Sequence, residues 1–522
     1  MRIASLASLI LCTAGLVAEP VAAAAPQRLG KAPFEDALHG LRMRIPSRWP
    51  AQALPAGSDR VEVIQHFDSG DGAHLLVSLW SDPTDTEDDP HPVLSLPLAV
   101  NRVLAGGSLR RGIGRKRWSK PLVDERVPLD DRELRHLQFR FPESDDEPCS
   151  WFVDAWVIPG GEEDIGIAYV FGGEDVRPPN RRVRKLIEGT VASVERFEVI
   201  DLSEASGYEQ VLAYHRAEVA PLANWRIVET DSRKFLLKTS HDDAGFVEDV
   251  VERLEASRLL FEADFPPPEG FDAVSVVRLC SSDREFHQYG NTSRGVMGWF
   301  NPRSIELVLF DAQAVDRNMT YAVMTHEAFH QYCHFLFGEA EAHRWFDEGH
   351  GDYYGGVKWS ARGKARVTAR MPGGLDRLGA VRRMVREGSY QPLDHHLRAN
   401  HREWRAGGVD SYAQSWSLVY MLRQGMLGNV HRKVWRPEYA EILPSYVRTL
   451  KEEFARARTE LDDETDGATE DGEADPGDED DDEVSEERKQ EAWKAAIDAS
   501  WGAIDLATFE DHWRLYVKKY LK

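Results

Sequence analysis

The sequence predicts an α+β protein in two parts: a mostly antiparallel α+β domain over residues 30–200, then a second domain over 205–460 whose later portion is helical. Three observations carry this. Short apolar runs of period two fill the first 200 residues. After residue 205 strands precede helices instead of alternating with them. The length of 522 residues also exceeds a single domain, on a prior of about 150 residues each. A hydrophobic content of 42% with 29% charged residues suits a globular chain and excludes a collagenous or wholly disordered one.

The N-terminus reads as a leader. Met1-Arg2 precedes an apolar run over 3–18 and then Val21-Ala22-Ala23-Ala24-Ala25, the charged, apolar and small-residue parts of a secretory signal. Residues 1–24 are expected to be a signal peptide cut near Ala23 or Ala24. Glu19-Pro20 ends the run short of the roughly 20 residues that a spanning helix needs. No later segment is long and apolar enough, so the mature chain is expected to be exported (secreted, periplasmic or extracellular), without a membrane span. Cys149, Cys280 and Cys333 are too few for a disulfide scaffold and too scattered for a thiolate metal site.

Period-two runs at 41–46, 61–64, 74–80, 137–141, 151–157 and 165–170 predict strands, and 180–193 predicts a helix that closes the first domain. Leu38-His39-Gly40-Leu41-Arg42-Met43-Arg44-Ile45-Pro46-Ser47-Arg48-Trp49 resembles the first strand of small PsbP-like domains over those few residues. A boundary is expected near 200–206. Beyond it come strands at 225–229 and 235–239, a helix at 244–261, and strands at 273–279 and 304–310, after which helices dominate.

Charge is unevenly placed. Of 88 Asp and Glu, 17 fall within 460–487, which holds no Lys or Arg; setting them aside reduces the net charge from −24 to −7. The tract 461–487 cannot bury enough apolar area to offset the entropy of ordering, so a disordered insertion is expected there. Asp462, Glu464, Asp466, Gly467 and Glu473 approach a calcium-loop register. However, Glu464 replaces the usual Asp or Asn, and a solvated charge run is the reading adopted. Residues 488–522 are expected to return to the globular body as closing helices. No basic run with interleaved aromatics occurs, which argues against nucleic acid as a partner.

The informative stretch is Thr325-His326-Glu327-Ala328-Phe329-His330. On a helix, His326 and His330 differ by about 40° in direction and one turn in height, so their imidazoles converge on one ion. Glu327 lies about 100° round the helix, where it reaches a water at the ion without being a ligand. Glu348, 18 residues after His330, can return on a second helix past a stop at Gly338. Three protein ligands leave a fourth zinc position open, the geometry of a catalytic site. Asp352, four residues after Glu348, shares its helical face and can accept the second ring N–H of a ligand histidine. His334, His343 and His350 lie at poorer positions and are read as surface or outer-sphere residues.

These motifs, His326-Glu327-x-x-His330, Trp345-Phe346-Asp347-Glu348-Gly349 and Asp352, resemble the gluzincin metallopeptidases, most closely their secreted peptidase-MA-like group, over about 205–440. The resemblance implies a zincin-like fold for the second domain and one Zn2+ per chain on His326, His330 and Glu348. It implies a peptide or protein substrate with Glu327 as general base. Tyr412-Ala413-Gln414 matches a Tyr-x-Gln segment of that group. Tyr412, 64 residues after Glu348, stands where the aminopeptidase branch places an oxyanion-stabilising tyrosine. That branch also carries a Gly-x-Met-Glu-Asn segment whose Glu holds the substrate amine. Here the nearest phrase is Gly295-Val296-Met297-Gly298-Trp299, so aminopeptidase action is not implied.

The sequence therefore predicts an exported zinc peptidase. Two alternatives stand beside it: a zinc hydrolase of a non-peptide amide or ester, and a catalytically silent binding or scaffold protein. The resemblance to zincin folds also implies that strand 304–310 is an edge strand, which could hold an extended peptide by main-chain pairing.

Overall fold

In the strand Ala73–Ser81, Leu75, Val77 and Leu79 join one hydrophobic core and Leu76 and Trp80 join another, as strand alternation requires. That strand belongs to the first of two compact units, Met1–Ile200 with Pro221–Ala223; the second comprises Asp201–Ala220 and Asn224–Lys522. The structure, a computed structural model, describes residues 28–54, 61–81, 96–105, 118–129, 132–143, 148–160, 163–173, 176–197, 207–290, 295–301, 304–338, 340–359, 365–370, 376–468 and 485–522. The expected leader 1–24 and the boundary at 200–206 lie outside them.

The first unit runs β1 (Phe34–Asp36), β2 (Leu41–Met43), β3 (Ala51–Gln52), β4 (Val61–Asp68), β5 (Ala73–Ser81), α1 (Leu96–Ala105), β6 (Val123–Leu129), β7 (Arg132–Phe141), β8 (Trp151–Ile158), β9 (Glu163–Gly172), α2 (Arg181–Ala192) and β10 (Glu195–Arg196). Seven strands form one sheet in the order β3-β4-β5-β9-β8-β7-β6, with every neighbour antiparallel. Ile187 and Val191 of α2 pack on one face and Leu96, Ala99 and Val100 of α1 on the other. The central strands are thus buried on both sides, which explains their near-continuous apolar text. Asn180 starts α2 by accepting from Arg182 N and Val183 N.

The second unit runs α3 (Gly207–Val219), β11 (Arg226–Glu229), β12 (Phe235–Thr239), α4 (Ala244–Asp264), β13 (Ser275–Cys280), α5 (Asp283–Gly290), β14 (Gly298–Asn301), β15 (Glu306–Phe310), α6 (Arg317–Leu336) and α7 (Arg344–Gly355). After the short pair β16 (Val357–Trp359) and β17 (Ala365–Val367) come α8 (Arg377–Glu387), α9 (Leu393–Arg398), α10 (His401–Ala406), α11 (Val409–Met426), α12 (Ile442–Ala468), α13 (Glu486–Trp501) and α14 (Leu506–Lys519). The protein is α+β, with antiparallel sheet in its first half and helices in its second.

The sheet of this unit has the order β11-β12-β13-β15-β14. β12, β13 and β15 are parallel, and β11 and β14 add antiparallel edges. Phe235, Leu237, Val277, Leu279, Leu307 and Leu309 make its apolar face, and Phe246 and Val250 of α4 and Met324 and Phe329 of α6 complete that core. Each such side chain, fully buried, contributes about 1.5–3 kcal/mol.

Two expectations are corrected. The strand expected at 304–310 to form an edge is internal, and the edge is β14. The segment expected to be disordered from 461 continues α12 to Ala468. Helix propagation adds one hydrogen bond per residue once a packed helix exists, so Asp462, Glu464, Asp466 and Gly467 are helical rather than a calcium loop. Residues 469–484, with Glu473, lie outside the described ones.

Candidate metal centre

Asp316 opens α6 by accepting from Asn318 N, and Gly338, at φ +68° just past its end, supplies the left-handed turn that stops it. Met324, Ala328, Phe329, Tyr332 and Leu336 are buried and fix the rotation of the helix, which leaves His326, Glu327 and His330 half-buried together on the remaining side. α7 begins at His343, whose Nδ1 accepts from Trp345 N at 3.3 Å while its Nε2 donates to Ala399 O at 2.9 Å. Every residue from Trp345 to Gly355 is buried. Two glycines permit that: a Cβ on Gly351 would lie 2.8 Å from the His326 ring, and one on Gly349 would lie 2.7 Å from Val419 of α11.

The close approach of α6 and α7 brings the expected ligands together. His326 Nε2 and His330 Nε2 are 2.9 Å apart, and Glu348 Oε2 stands 3.3 Å from the first and 3.6 Å from the second. Ligand atoms each about 2.0–2.2 Å from one zinc ion lie within about 4.4 Å of one another, so the three donors fit such an ion. The far side of each imidazole is also held. His330 Nδ1 donates to Asp347 Oδ1 at 2.8 Å and His326 Nδ1 to Asp352 Oδ1 at 3.3 Å, which turns both Nε2 lone pairs inward. Arg377 of α8 fixes Asp352, with Nε to Oδ2 at 2.6 Å.

Glu327 is not among the three donors. Its Oε2 accepts from Phe300 N of the edge strand β14 at 3.1 Å. Tyr412 of α11 donates its hydroxyl to Glu348 Oε1 at 3.4 Å, and Arg344 Nη1 reaches the same oxygen at 3.4 Å. The Tyr412 ring meets Trp404 edge-on at 4.7 Å between ring centres, and the Arg377 guanidinium lies 4.8 Å over it. All six sequence-derived site residues therefore meet in one place.

The electrostatics follow from burial and from these partners. Burial disfavours the His326 imidazolium, yet hydrogen bonds to Asp352 and Glu348 outweigh it and raise its pKa to about 9. His330 is likewise carried well above its usual value, against burial, by Asp347 and Glu348. Glu348, despite burial, is held well below the carboxylate range by the two histidines. Burial lifts Glu327 above that range. It lifts the Tyr412 hydroxyl as well, with the charges of Glu348 and Asp352 adding to the effect.

Asp347, Arg377, Arg344 and the Phe300 amide were not anticipated. Asp347 precedes Glu348 directly, and its pairing with His330 follows from how α7 crosses α6, which spacing alone does not reveal. The three histidines read as surface or outer-sphere are all buried. His343 caps α7, His334 packs against Phe300 at 5.3 Å between ring centres, and His350 donates to Phe346 O at 2.7 Å. None of them joins the donor trio.

A second trio, His215, Glu218 and Glu306, also converges within the described residues. There Lys238 Nζ already sits among the donors, 3.1 Å from His215 Nδ1 and 2.6 Å from Glu218 Oε2 and bonded to Glu306.

No family model and no curated protein matches this chain. Similar solved structures include the cyanobacterial PsbP (CyanoP) of Synechocystis sp., 14% identical, covering 33% of this chain and 94% of that one at a TM-score of 0.24. The Ran-binding protein Mog1p of Saccharomyces cerevisiae is 13% identical, with coverage of 34% and 98% and a TM-score of 0.21. A Bacteroides thetaiotaomicron protein is 9% identical, with coverage of 66% and 87% and a TM-score of 0.19. Scores this low carry no argument about fold or function.

Proposed function

We propose that this chain is a zinc-dependent peptidase of the gluzincin kind, exported by its leader. The observation that carries the reading is the donor trio His326, His330 and Glu348, with both imidazoles oriented by carboxylates and Glu327 beside them but outside the trio. When bound there, zinc supplies the Lewis acidity that polarises a carbonyl and makes water a nucleophile near neutral pH.

The chain's own groups do the rest. Glu327 accepts the proton of the attacking water and delivers it to the leaving amine, and a carboxyl lifted by burial suits both steps. Phe300 N–H holds that carboxylate in place between turnovers. Tyr412, kept protonated by burial, donates to the oxyanion, an interaction stronger in the transition state than in the ground state. The edge strand β14 offers its outer side for pairing with an extended peptide.

Gly298 bears on specificity. It stands where an amine-holding glutamate would be, and a Cβ there would come 2.5 Å from Val323 Cγ1 and 3.5 Å from Glu327 Cγ. A side chain there requires the Val323 side chain to give way, and this chain has no carboxylate at that position, so blocked and free N-termini are expected to serve equally.

The test is cleavage of a mixed peptide library, half of it N-acetylated, read by mass spectrometry. Glu327→Gln is expected to keep its zinc and lose about 10²- to 10⁴-fold in rate. Cleavage unchanged in the variant would refute the base assignment, and no cleavage by zinc-loaded wild type would refute the peptidase reading.

A further inference from the structure

The two oxygens of Glu348 have different partners. Oε2 meets the imidazoles of His326 and His330 at 3.3 and 3.6 Å. Oε1 receives two other donors, each at 3.4 Å: the Tyr412 hydroxyl from α11, and Arg344 Nη1 from the first residue of α7. A carboxylate that turned both oxygens toward an ion would take up the position that a catalytic zinc site leaves open. Whatever holds Oε1 therefore keeps that position free.

The two donors are not equivalent, because a phenol has one O–H to give and a guanidinium has five N–H. The peptidase reading, on which this inference rests, assigns the Tyr412 proton to the oxyanion. While it points there it cannot also serve Oε1. Arg344 has no such conflict, since each of its nitrogens has a partner of its own. Nη1 donates to Glu348 Oε1, Nε to His401 Nδ1 at 3.3 Å, and Nη2 to Glu341 Oε2 at 3.4 Å. Arg344 also stands four residues before Glu348, on the same face of the helix. Trp345 and Phe346, the next two residues, are fully buried, so α7 cannot turn to withdraw either group.

We propose that Arg344 is a positioning residue: it holds Glu348 Oε1 throughout turnover, so that Glu348 presents Oε2 alone to the metal and Tyr412 can leave Oε1 for the oxyanion. The hydroxyl is then dispensable for holding the metal, and the guanidinium is not.

Chelator competition and peptide kinetics on the full chain test this. Arg344→Met, which removes every donor but keeps an unbranched stem, is expected to weaken zinc by about 10- to 100-fold, as loss of a ligand's outer partner does. Tyr412→Phe is expected to bind zinc within about twofold of wild type, because it removes no contact that Arg344 does not also supply. Arg344→Lys is expected to recover about half of the lost affinity on a logarithmic scale, since one N–H suffices at Oε1. Saturated with zinc, Arg344→Met is expected to lose about tenfold in kcat. Adding Tyr412→Phe to it is expected to cost less than the same change costs wild type, because the tyrosine is then detained on Oε1. Zinc held equally by Arg344→Met and wild type, or weakened as much by Tyr412→Phe as by Arg344→Met, would overturn the proposal. Should Arg344→Met fail to fold, zinc weakened more by Tyr412→Phe than by Arg344→Lys overturns it. If zinc-loaded wild type cleaves no peptide, the peptidase reading falls, while the order of zinc affinities still decides what holds Glu348.

Discussion

Two buried clusters of the second unit pass the same geometric test, three donor atoms converging on one point, and differ in what stands among the donors. In the His215, Glu218 and Glu306 cluster the cation is a side chain. Lys238 Nζ contacts all three, and Arg278 spans the two glutamates. Both carboxylates are held below their usual pKa range, against burial, by Lys238 and Arg278. In the His326, His330 and Glu348 cluster no lysine or arginine enters the trio; Arg344 touches only Glu348 Oε1, the oxygen that does not face the histidines. Convergence of donors is thus common to both, and only the His215, Glu218 and Glu306 cluster already has a cationic side chain among its donors, which is why the other is the one proposed to take a metal.

Removing a member from each cluster breaks this comparison most forcefully. His330→Ala is expected to take zinc from one per chain to none and to end hydrolysis, read by elemental analysis and by turnover. Lys238→Met is expected to leave zinc content intact while destabilising the second unit by about 3–5 kcal/mol, because two buried carboxylates lose a partner; denaturant melts measure it. Zinc retained by the first variant, or lost by the second, would reverse the assignment. Next in size, Tyr412→Phe is expected to lower kcat by about 10²- to 10³-fold with KM little changed. An equal loss carried wholly in KM would mean that Tyr412 only packs.

A smaller effect sharpens the account of how the donors are held. Asp347→Asn is expected to weaken zinc by about 10- to 100-fold, and competition with a chelator of known affinity would show it. The pH dependence is smaller still per unit. In the metal-free chain His326 titrates at about 9, so at neutral pH zinc must displace its proton. Affinity is expected to rise about tenfold per pH unit for each proton displaced, with His330, also carried above its usual value, adding to the slope. A flat profile between pH 6 and 8 would show that the ligand is already neutral.

Much of this was readable from residue order, and the exceptions are physical. Chain-local spacing revealed His326, Glu327 and His330, and a helix-length return revealed Glu348. Arg377 was invisible because it reaches Asp352 from a separate helix 25 residues away, and the Phe300 amide because any residue carries one. In the first unit, alternation marked the buried strands but not β6, which is mostly exposed and contains Pro128. In the second, β14 escaped notice because four half-buried residues beginning with glycine carry no period, and the edge position expected of β15 came from the zincin resemblance, not from its residues.

The helix α12 packs against α13, with Arg488, at the start of α13, donating to Ala457 O of α12 at 3.1 Å. The acidic stretch between them is therefore spliced into a helical hairpin whose own packing closes it. Closure entropy grows only as the logarithm of length, about 0.6 kcal/mol per doubling. Natural selection can then lengthen, shorten or recharge this stretch at almost no thermodynamic penalty, so related chains are expected to drift most in size at this point and least across α6 and α7.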